Sequence, residues 1–167
     1  MMRHIDYIVF HCSAGYAGVD GIRRYWRQTL GWKMDGYHRF VLLDGTIFEM
    51  QPWQVVTNGV AGYNSRSLHI CYQGGVLRDD VKVAADTRTP AQKESLLKCL
   101  GDAYRWLAQY QDVSGVKILG HRDFSPDKNG NGVIEPWERI KECPSFDAIA
   151  EYRIYQGTEA LNSSTLL

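Results

Sequence analysis

The alternation of apolar and polar positions divides the chain into short strands and longer helices. Residues 5–12, IDYIVFHC, and 67–75, SLHICYQGG, are rich in β-branched and aromatic side chains, and each predicts a strand. A similar run at 115–121, GVKILGH, predicts another. Between residues 37 and 50, two apolar runs flank an Asp-Gly pair, which favours a tight turn, so this stretch predicts a β-hairpin.

Three other segments have the apolar spacing of helices. Residues 22–30 carry apolar side chains at helical spacing, with Asp20 as the expected N-cap. Residues 89–110 begin with Thr-Pro-Ala-Gln, a strong helix start, and continue with an amphipathic stripe. Residues 144–155 predict a final short helix.

The order of these elements indicates the fold class. Strand, helix, hairpin, strand, long helix, strand and helix predict an α/β fold, a mixed central sheet with helices packed on its faces. We expect a single domain over residues 1–155, with an inserted loop at 127–138 and a polar tail at 156–167. Two of the strands end in a histidine, and ligand sites gather at the carboxyl ends of strands in such sheets.

Composition excludes several classes of partner. The formal net charge is zero, which differs from the basic footprint of a nucleic-acid-binding protein. No apolar run approaches the roughly 20 residues that a membrane helix needs, and the first twelve residues do not have the form of a signal peptide. We therefore expect a protein that is cytoplasmic as synthesised and has neither nucleic acid nor membrane as partner. We also expect a monomer.

Two histidines and a cysteine are candidate metal ligands. His11 and His121 lie at strand ends, and Cys143 follows a Gly/Asn/Asp-rich loop. Two imidazoles and one thiolate would hold a zinc ion and leave one position open for water. The alternative is that the histidines are merely hydrogen-bonded and Cys143 is a small buried apolar group. Spacing alone leaves both possibilities open, because the three residues do not form a compact motif.

Tyr37 and Lys141 are candidate catalytic residues beside such a metal. A zinc hydrolase needs a donor that stabilises the tetrahedral oxyanion and a group that handles protons. A phenol at a strand start and an ammonium two residues before a ligand could fill these roles. The alternative is a half-buried tyrosine and a solvated lysine with no chemical role.

Several segments of the chain resemble one family of enzymes. The matching segments, in the family's order, are VFHCSA, GYHRFVLLDGTI, GVAGYNSRSLHICYQGG, TPAQ, ILGHRD and KECPSFD. Together they are similar to the zinc-dependent N-acetylmuramoyl-L-alanine amidases of the phage-lysozyme and peptidoglycan-recognition-protein superfamily. The resemblance implies zinc on His11, His121 and Cys143, and catalytic roles for Tyr37 and Lys141.

The resemblance also implies a function and its alternatives. The expected reaction is hydrolysis, by zinc-activated water, of the amide bond between N-acetylmuramic acid and L-alanine in peptidoglycan. The enzyme would be endolysin-like and would reach the cell wall after release or export by another system. The alternatives are a catalytically silent peptidoglycan-binding module and a regulator that binds a polymerase.

The chain departs from the family pattern at two places. Phage relatives often carry a histidine just before the GYN motif, where this chain has Val60 and Ala61. The second departure is a longer segment between His121 and Cys143. Cys143 itself separates the chain from the branch of the superfamily that uses an aspartate ligand.

The longer segment contains a pattern typical of calcium loops. Residues 127–138 match the twelve-residue EF-hand loop, with a glycine at its sixth position and a glutamate at its twelfth. The expected calcium ligands are Asp127, Asn129, Asn131, the carbonyl of Val133, Glu135 and Glu138. The alternative is a metal-free turn held by side-chain bonds to the backbone.

Overall fold

A mixed five-stranded sheet forms the centre of the molecule. The computed structural model describes residues 2–157. The strands are β1 (Tyr7–Cys12), β2 (Arg39–Val41), β3 (Ile47–Glu49), β4 (Ser67–Tyr72) and β5 (Lys117–Gly120). Their order across the sheet is β3-β2-β4-β1-β5, and only the β2–β3 hairpin is antiparallel. The α/β class is therefore confirmed, and the hairpin turns at the expected Asp-Gly pair.

The register of the central strands places two histidines on one face. In the parallel pair of β1 and β4, His11 lies opposite Cys71 and Val9 lies opposite His69. Side chains two residues apart on a strand share a face, so His11 and His69 are diagonal neighbours on the same side of the sheet. The carboxyl end of β1 lies between those of β4 and β5, which brings His11 close to the residues that follow β5.

The long helix α2 (Pro90–Leu107) covers the other face of the sheet. Thr89 and Gln92 form the expected capping box, in which each side chain bonds the backbone N–H of the other. The Gln92 amide also donates to the carbonyl oxygens of Val41 and Gln73, at the ends of β2 and β4. The helix start is thereby fixed to the same end of the sheet as the strand termini.

The first helix begins earlier than its local signals predict. Helix α1 (Val19–Arg24) has Gly18 as its N-cap, so the assignment of Asp20 as the cap is wrong. Val19 is buried together with Ile22 and Trp26, and burying this apolar residue moves the N-cap two residues toward the N-terminus. The chain then continues as a π-helical segment over residues 25–29.

The C-terminal part is less helical than expected. Only α3 (Ala148–Glu151) and a following 3-10 turn, Arg153–Tyr155, are helical within the predicted 144–155 helix. Asp147 caps α3 by accepting the N–H of Ala150. Most of the predicted tail, 158–167, lies outside the described residues, and the domain limit at residue 155 stays a prediction. None of the helices within 2–157 has the length and apolarity needed to cross a membrane.

Candidate metal centre and active-site cleft

Three predicted ligands meet at one edge of the sheet. His11 lies near the end of β1, His121 follows β5 directly, and Cys143 lies in the segment before α3. One potential ligand atom from each side chain lies within 4.8 Å of those of the others. Within residues 2–157, this is the group of His, Cys, Asp or Glu side chains that is close enough to hold a metal ion.

Backbone contacts hold the three ligands together. The N–H of Arg122 donates to the carbonyl oxygen of Cys143 at 2.7 Å, which joins the turn after β5 to the cysteine segment. The N–H of Cys12 points at the Cys143 sulfur at 3.3 Å, which joins that segment to β1. Gly120 leaves room for Pro144, since a Cβ there would lie 2.5 Å from the proline ring. Hydrogen bonds and close packing between these segments thus position ligands that are far apart in the sequence.

The donor set and its spacing fit a zinc ion. Nδ1 of His11 lies 3.8 Å from Sγ of Cys143. With ordinary Zn–N and Zn–S bond lengths, a tetrahedral site would place these two atoms about 3.6 Å apart. Two neutral imidazoles and one thiolate are borderline-soft donors, which zinc prefers, and the three ligands leave a fourth position open.

Burial keeps the metal-free ligands uncharged. Burial, with Lys141 adding to it, lowers the pKa of His121 to about 4. Burial also lowers the pKa of His11 well below its ordinary value, and the neighbouring His121 and His69 act in the same direction. Burial and the adjacent Cys12 raise the pKa of the Cys143 thiol. The histidines are therefore neutral and ready to coordinate, while the thiolate needs a cation to form.

Tyr37 lies against the first ligand. Its ring centroid is 4.9 Å from that of His11, and it makes an edge-to-face contact with Trp26 at a centroid distance of 5.3 Å. Burial, and then the negative charge that nearby Cys71 and Cys143 would carry, raise the pKa of Tyr37 well above 10. Its hydroxyl therefore stays protonated at neutral pH and can serve as a hydrogen-bond donor.

Lys141 lies at the mouth of a cleft beside the ligands. The cleft has a volume of about 440 Å³, and its lining includes Trp32, Tyr63, Phe124, His121 and Lys141. Lys141 is exposed, yet its charge is close enough to lower the pKa values of both His11 and His121. His121 and Lys141 therefore connect the metal-binding group to an aromatic-lined cleft, and the neutral Tyr37 phenol lies beside His11.

The 127–138 loop is a turn whose carboxylates bind its own backbone. Asp127 accepts the N–H groups of Gly130 and Gly132, each at 2.7 Å. Glu138 is fully buried and accepts three backbone N–H groups, at residues 128, 129 and 135. The loop carboxylates do not form a metal-binding group of the kind seen at the three ligands. Calcium binding there stays a prediction from the spacing.

Two residues near the site were not predicted from the sequence. His69 lies within β4, which is buried along its whole length, and its Nδ1 is 3.0 Å from Nε2 of His11. Asp35 is buried and accepts hydrogen bonds from Arg23 and Arg27, which ties the first helical segment to the chain before Tyr37. A histidine inside an otherwise apolar run was the available signal for His69, and none marked Asp35.

The two unusual residues before GYN lie at the cleft. Val60 is buried and Ala61 is exposed, and both contribute to its wall. Neither side chain carries a polar group, so a histidine contact from this part of the cleft is absent, as the sequence indicates.

Comparisons with known proteins agree with this geometry. Residues 1–144 match the N-acetylmuramoyl-L-alanine amidase family, Amidase_2. The endolysin of Klebsiella phage KP32 is 34% identical over 144 residues, which cover 84% of this chain and 80% of that protein. The endolysin of Escherichia phage T7 is 32% identical over 145 residues, which cover 85% and 82%.

A solved structure has the same fold. The endolysin of Thermus scotoductus bacteriophage Ph2119 superposes with a TM-score of 0.64 at 19% identity, covering 95% of this chain and 90% of that one. This likeness bears on the fold, while the family match extends over most of the chain. The resemblance found in the sequence motifs is confirmed, and the chain belongs to the N-acetylmuramoyl-L-alanine amidase family of peptidoglycan hydrolases.

Proposed function

We propose that His11, His121 and Cys143 hold the catalytic zinc, and that Tyr37 and Lys141 act on the scissile amide between N-acetylmuramic acid and L-alanine. The observation that supports this most directly is the convergence of the three ligand atoms within 4.8 Å of one another, beside a cleft that His121 lines. When bound there, zinc supplies a Lewis acid that polarises a carbonyl and lowers the pKa of water.

The chain's own groups would act on the charge that develops during hydrolysis. Tyr37, held protonated by burial, donates a hydrogen bond toward the oxygen that becomes negative in the tetrahedral state. The Lys141 ammonium stabilises the same charge from the cleft mouth. One of these two groups also delivers the proton that the leaving amine requires.

The cleft would hold the muropeptide. Its aromatic and apolar lining, Trp32, Tyr63, Phe124 and Ile140, suits the apolar faces of a sugar ring and the side chains of a short peptide. Peptidoglycan is the partner we propose, with the enzyme acting on the cell wall after release or export by another system. We propose a monomer, without nucleic acid or membrane among its partners.

The alternative functions are less favoured. A silent binding module needs only the cleft, whereas this chain also has the three ligands together and the Tyr37–Lys141 pair beside them. A polymerase-binding regulator would need a separate interaction surface, and no feature of the described residues points to one.

The function is tested with purified muropeptides. Wild-type protein is incubated with and without a chelator, and the products are identified by mass analysis. We expect the free peptide and the intact glycan, with loss of activity in chelator and its return with zinc. Cys143→Ser should lose zinc and activity together. Cleavage of a glycosidic bond, or a Cys143→Ser protein that retains full zinc, would contradict the proposal.

Calcium in the 127–138 loop is a separate proposal that rests on the EF-hand spacing. Calcium that binds only the folded protein would raise its melting temperature by mass action. Zinc-loaded protein is titrated with calcium by calorimetry, with melting curves recorded in parallel. A measurable heat of binding and a rise in melting temperature, both weaker in Glu138→Gln, would support a site. Their absence would establish the loop as a metal-free turn.

A further inference from the structure

Behind the proposed metal ligand His11 lies a second buried histidine, His69. Both side chains are fully buried, and Nε2 of His11 is 3.0 Å from Nδ1 of His69. The other nitrogen of His11, Nδ1, faces Cys143 at 3.8 Å. One nitrogen of His11 thus faces the metal-binding group, and the opposite nitrogen faces His69.

The protonation pattern of this pair follows from the proposed metal position, and the neighbouring His38 ring is engaged elsewhere. Nδ1 of His38 accepts the backbone N–H of His69 at 2.9 Å, so His38 carries its proton on Nε2 and donates it to the carbonyl oxygen of Val55. A metal on Nδ1 of His11 leaves the proton of that ring on Nε2. Nδ1 of His69 is then the acceptor, and His69 carries its own proton on Nε2.

The remaining nitrogen of His69 has no partner. Nε2 is buried and makes no hydrogen bond within the described residues. An apolar side chain of similar volume would fill the same space without an unpaired N–H group, which is costly to bury. The histidine is therefore poorly explained as core packing, whereas its Nδ1 has a clear partner in His11.

The cleft wall is shaped around this ring. A Cβ at Gly59 would lie 2.4 Å from Cγ and Nδ1 of His69. Gly59 lines the cleft, so the bare backbone at this point lets the imidazole lie directly behind the site. The backbone conformation of Gly59 is one that other residues can adopt. A glycine is needed here because a side chain would collide with the His69 ring.

From these contacts we propose that His69 is a positioning residue for the zinc site. By accepting the Nε2–H of His11, it fixes the tautomer and the ring orientation that present Nδ1 to the metal. The inference rests on the proposed function, because it takes His11 as a zinc ligand. Loss of such an outer partner typically weakens metal binding by about 10- to 100-fold.

The test compares zinc affinity among four variants, measured by competition with a chromophoric chelator. His69→Leu keeps the volume and removes the acceptor, while His69→Asn keeps an oxygen near the position of Nδ1. Gly59→Ala displaces the His69 ring without changing it. Gly115→Ala is the matched control, because a Cβ there meets nothing within 4 Å. Melting of each metal-free protein shows that it is folded.

We expect His69→Leu and Gly59→Ala to weaken zinc binding by about 10- to 100-fold, His69→Asn to restore most of it, and Gly115→Ala to match the wild type. Cobalt-substituted protein gives a second readout, since the thiolate-to-cobalt absorption bands should shift in His69→Leu. Wild-type affinity in folded His69→Leu, or no recovery in His69→Asn, would overturn the proposal. If His69→Leu does not fold, unchanged affinity in Gly59→Ala overturns it. A wild type without zinc would instead refute the proposed function.

Discussion

At the residue scale, Tyr37 and Lys141 can be separated experimentally from the metal ligands. Both are donors beside the site, so Tyr37→Phe and Lys141→Ala should keep zinc and fold. Each should lower turnover, since removing one donor to a developing oxyanion costs on the order of 100-fold or more. Muropeptide turnover is measured by mass analysis, alongside zinc content.

A tyrosine and a lysine outside the cleft serve as matched controls. Tyr110 and Lys98 are exposed and do not line the cleft, so Tyr110→Phe and Lys98→Ala should leave turnover unchanged. Wild-type turnover in both Tyr37→Phe and Lys141→Ala would refute the roles assigned to them.

His38 should make stability depend on pH. Burial lowers its pKa to about 3, with Arg3 and Arg39 contributing. The unfolded chain binds this proton below its ordinary pKa of about 6.5, whereas the folded chain does not, so stability falls as pH drops from 6.5 toward 3. One such proton contributes about 1.4 kcal/mol per pH unit.

The contribution of His38 is isolated by comparing how steeply the free energy of unfolding changes with pH in two proteins. Urea unfolding of metal-free wild type and His38→Asn between pH 4 and 7 gives the free energy of unfolding for each. The slope of the free energy of unfolding against pH should be shallower in the variant by about one proton, so any stability difference at pH 7 should shrink as the pH falls. Equal slopes would show that His38 is protonated in the folded state.

Sequence reasoning identified the candidate metal ligands but not the residues that hold them in place. His11 and His121 end predicted strands and Cys143 follows a polar loop, so all three could be named as candidates, and the resemblance then favoured the metal-binding interpretation over simple burial. His69 could not, because its partner is 58 residues away and the register of β1 against β4 decides that they touch. Asp35 is likewise defined only by the two arginines that the folded chain brings to it.

At the element scale, the accuracy of the predictions depended on how local the signals were. Helix α2 begins as expected because its capping box is formed by residues three apart. Helix α1 begins earlier than expected because Val19 is buried against a distant part of the chain, and this outweighs the local capping preference of Asp20. The hairpin was predictable because its turn residues act on their immediate neighbours.

The loop 127–138 should depend on a single buried carboxylate. Glu138 accepts three backbone N–H groups, and Glu138→Gln would place an amide NH₂ against at least one of them. Hydrogen bonds to a charged acceptor are worth about 1.5–3 kcal/mol each, so the loop should open locally. Hydrogen exchange of residues 128–135 should accelerate in calcium-free buffer, whereas Glu94→Gln, at an exposed carboxylate, should change nothing. Unchanged protection in Glu138→Gln would contradict this account of the loop.

At the scale of the whole molecule, the sheet order brings the first strand and the segment after the last strand to one site. β1 is an interior strand and β5 is the edge strand beside it, so the two are neighbours. This topology followed from the α/β pattern only in outline. The order of strands and the pairing of β1 with both β4 and β5 arise from long-range packing, which local periodicity does not encode.

The separation of the ligands along the chain has a mechanical consequence. His11 and Cys143 are 132 residues apart, so a cation that binds both acts as a cross-link between the first strand and the C-terminal segment. A covalent link closing a loop of 100 residues restricts the unfolded chain by an entropy worth about 4.7 kcal/mol at room temperature. A bound metal ion that closes a long loop likewise stabilises the folded chain.

Removing the cation should therefore loosen residues 121–143 before the rest of the fold. We expect trypsin to cut within residues 121–143 faster in chelator than in zinc, at exposed sites such as Lys128 and Lys141, while the sheet and α2 stay resistant. Mass analysis of a timed digest identifies the cuts, and Cys143→Ser in zinc should reproduce the chelator pattern. Identical digests with and without zinc would mean that the hydrogen bonds alone hold this segment closed. Faster cutting in chelator would instead show that the bound cation also fastens this segment, so that loss of the ion would both end activity and expose the protein to proteolysis.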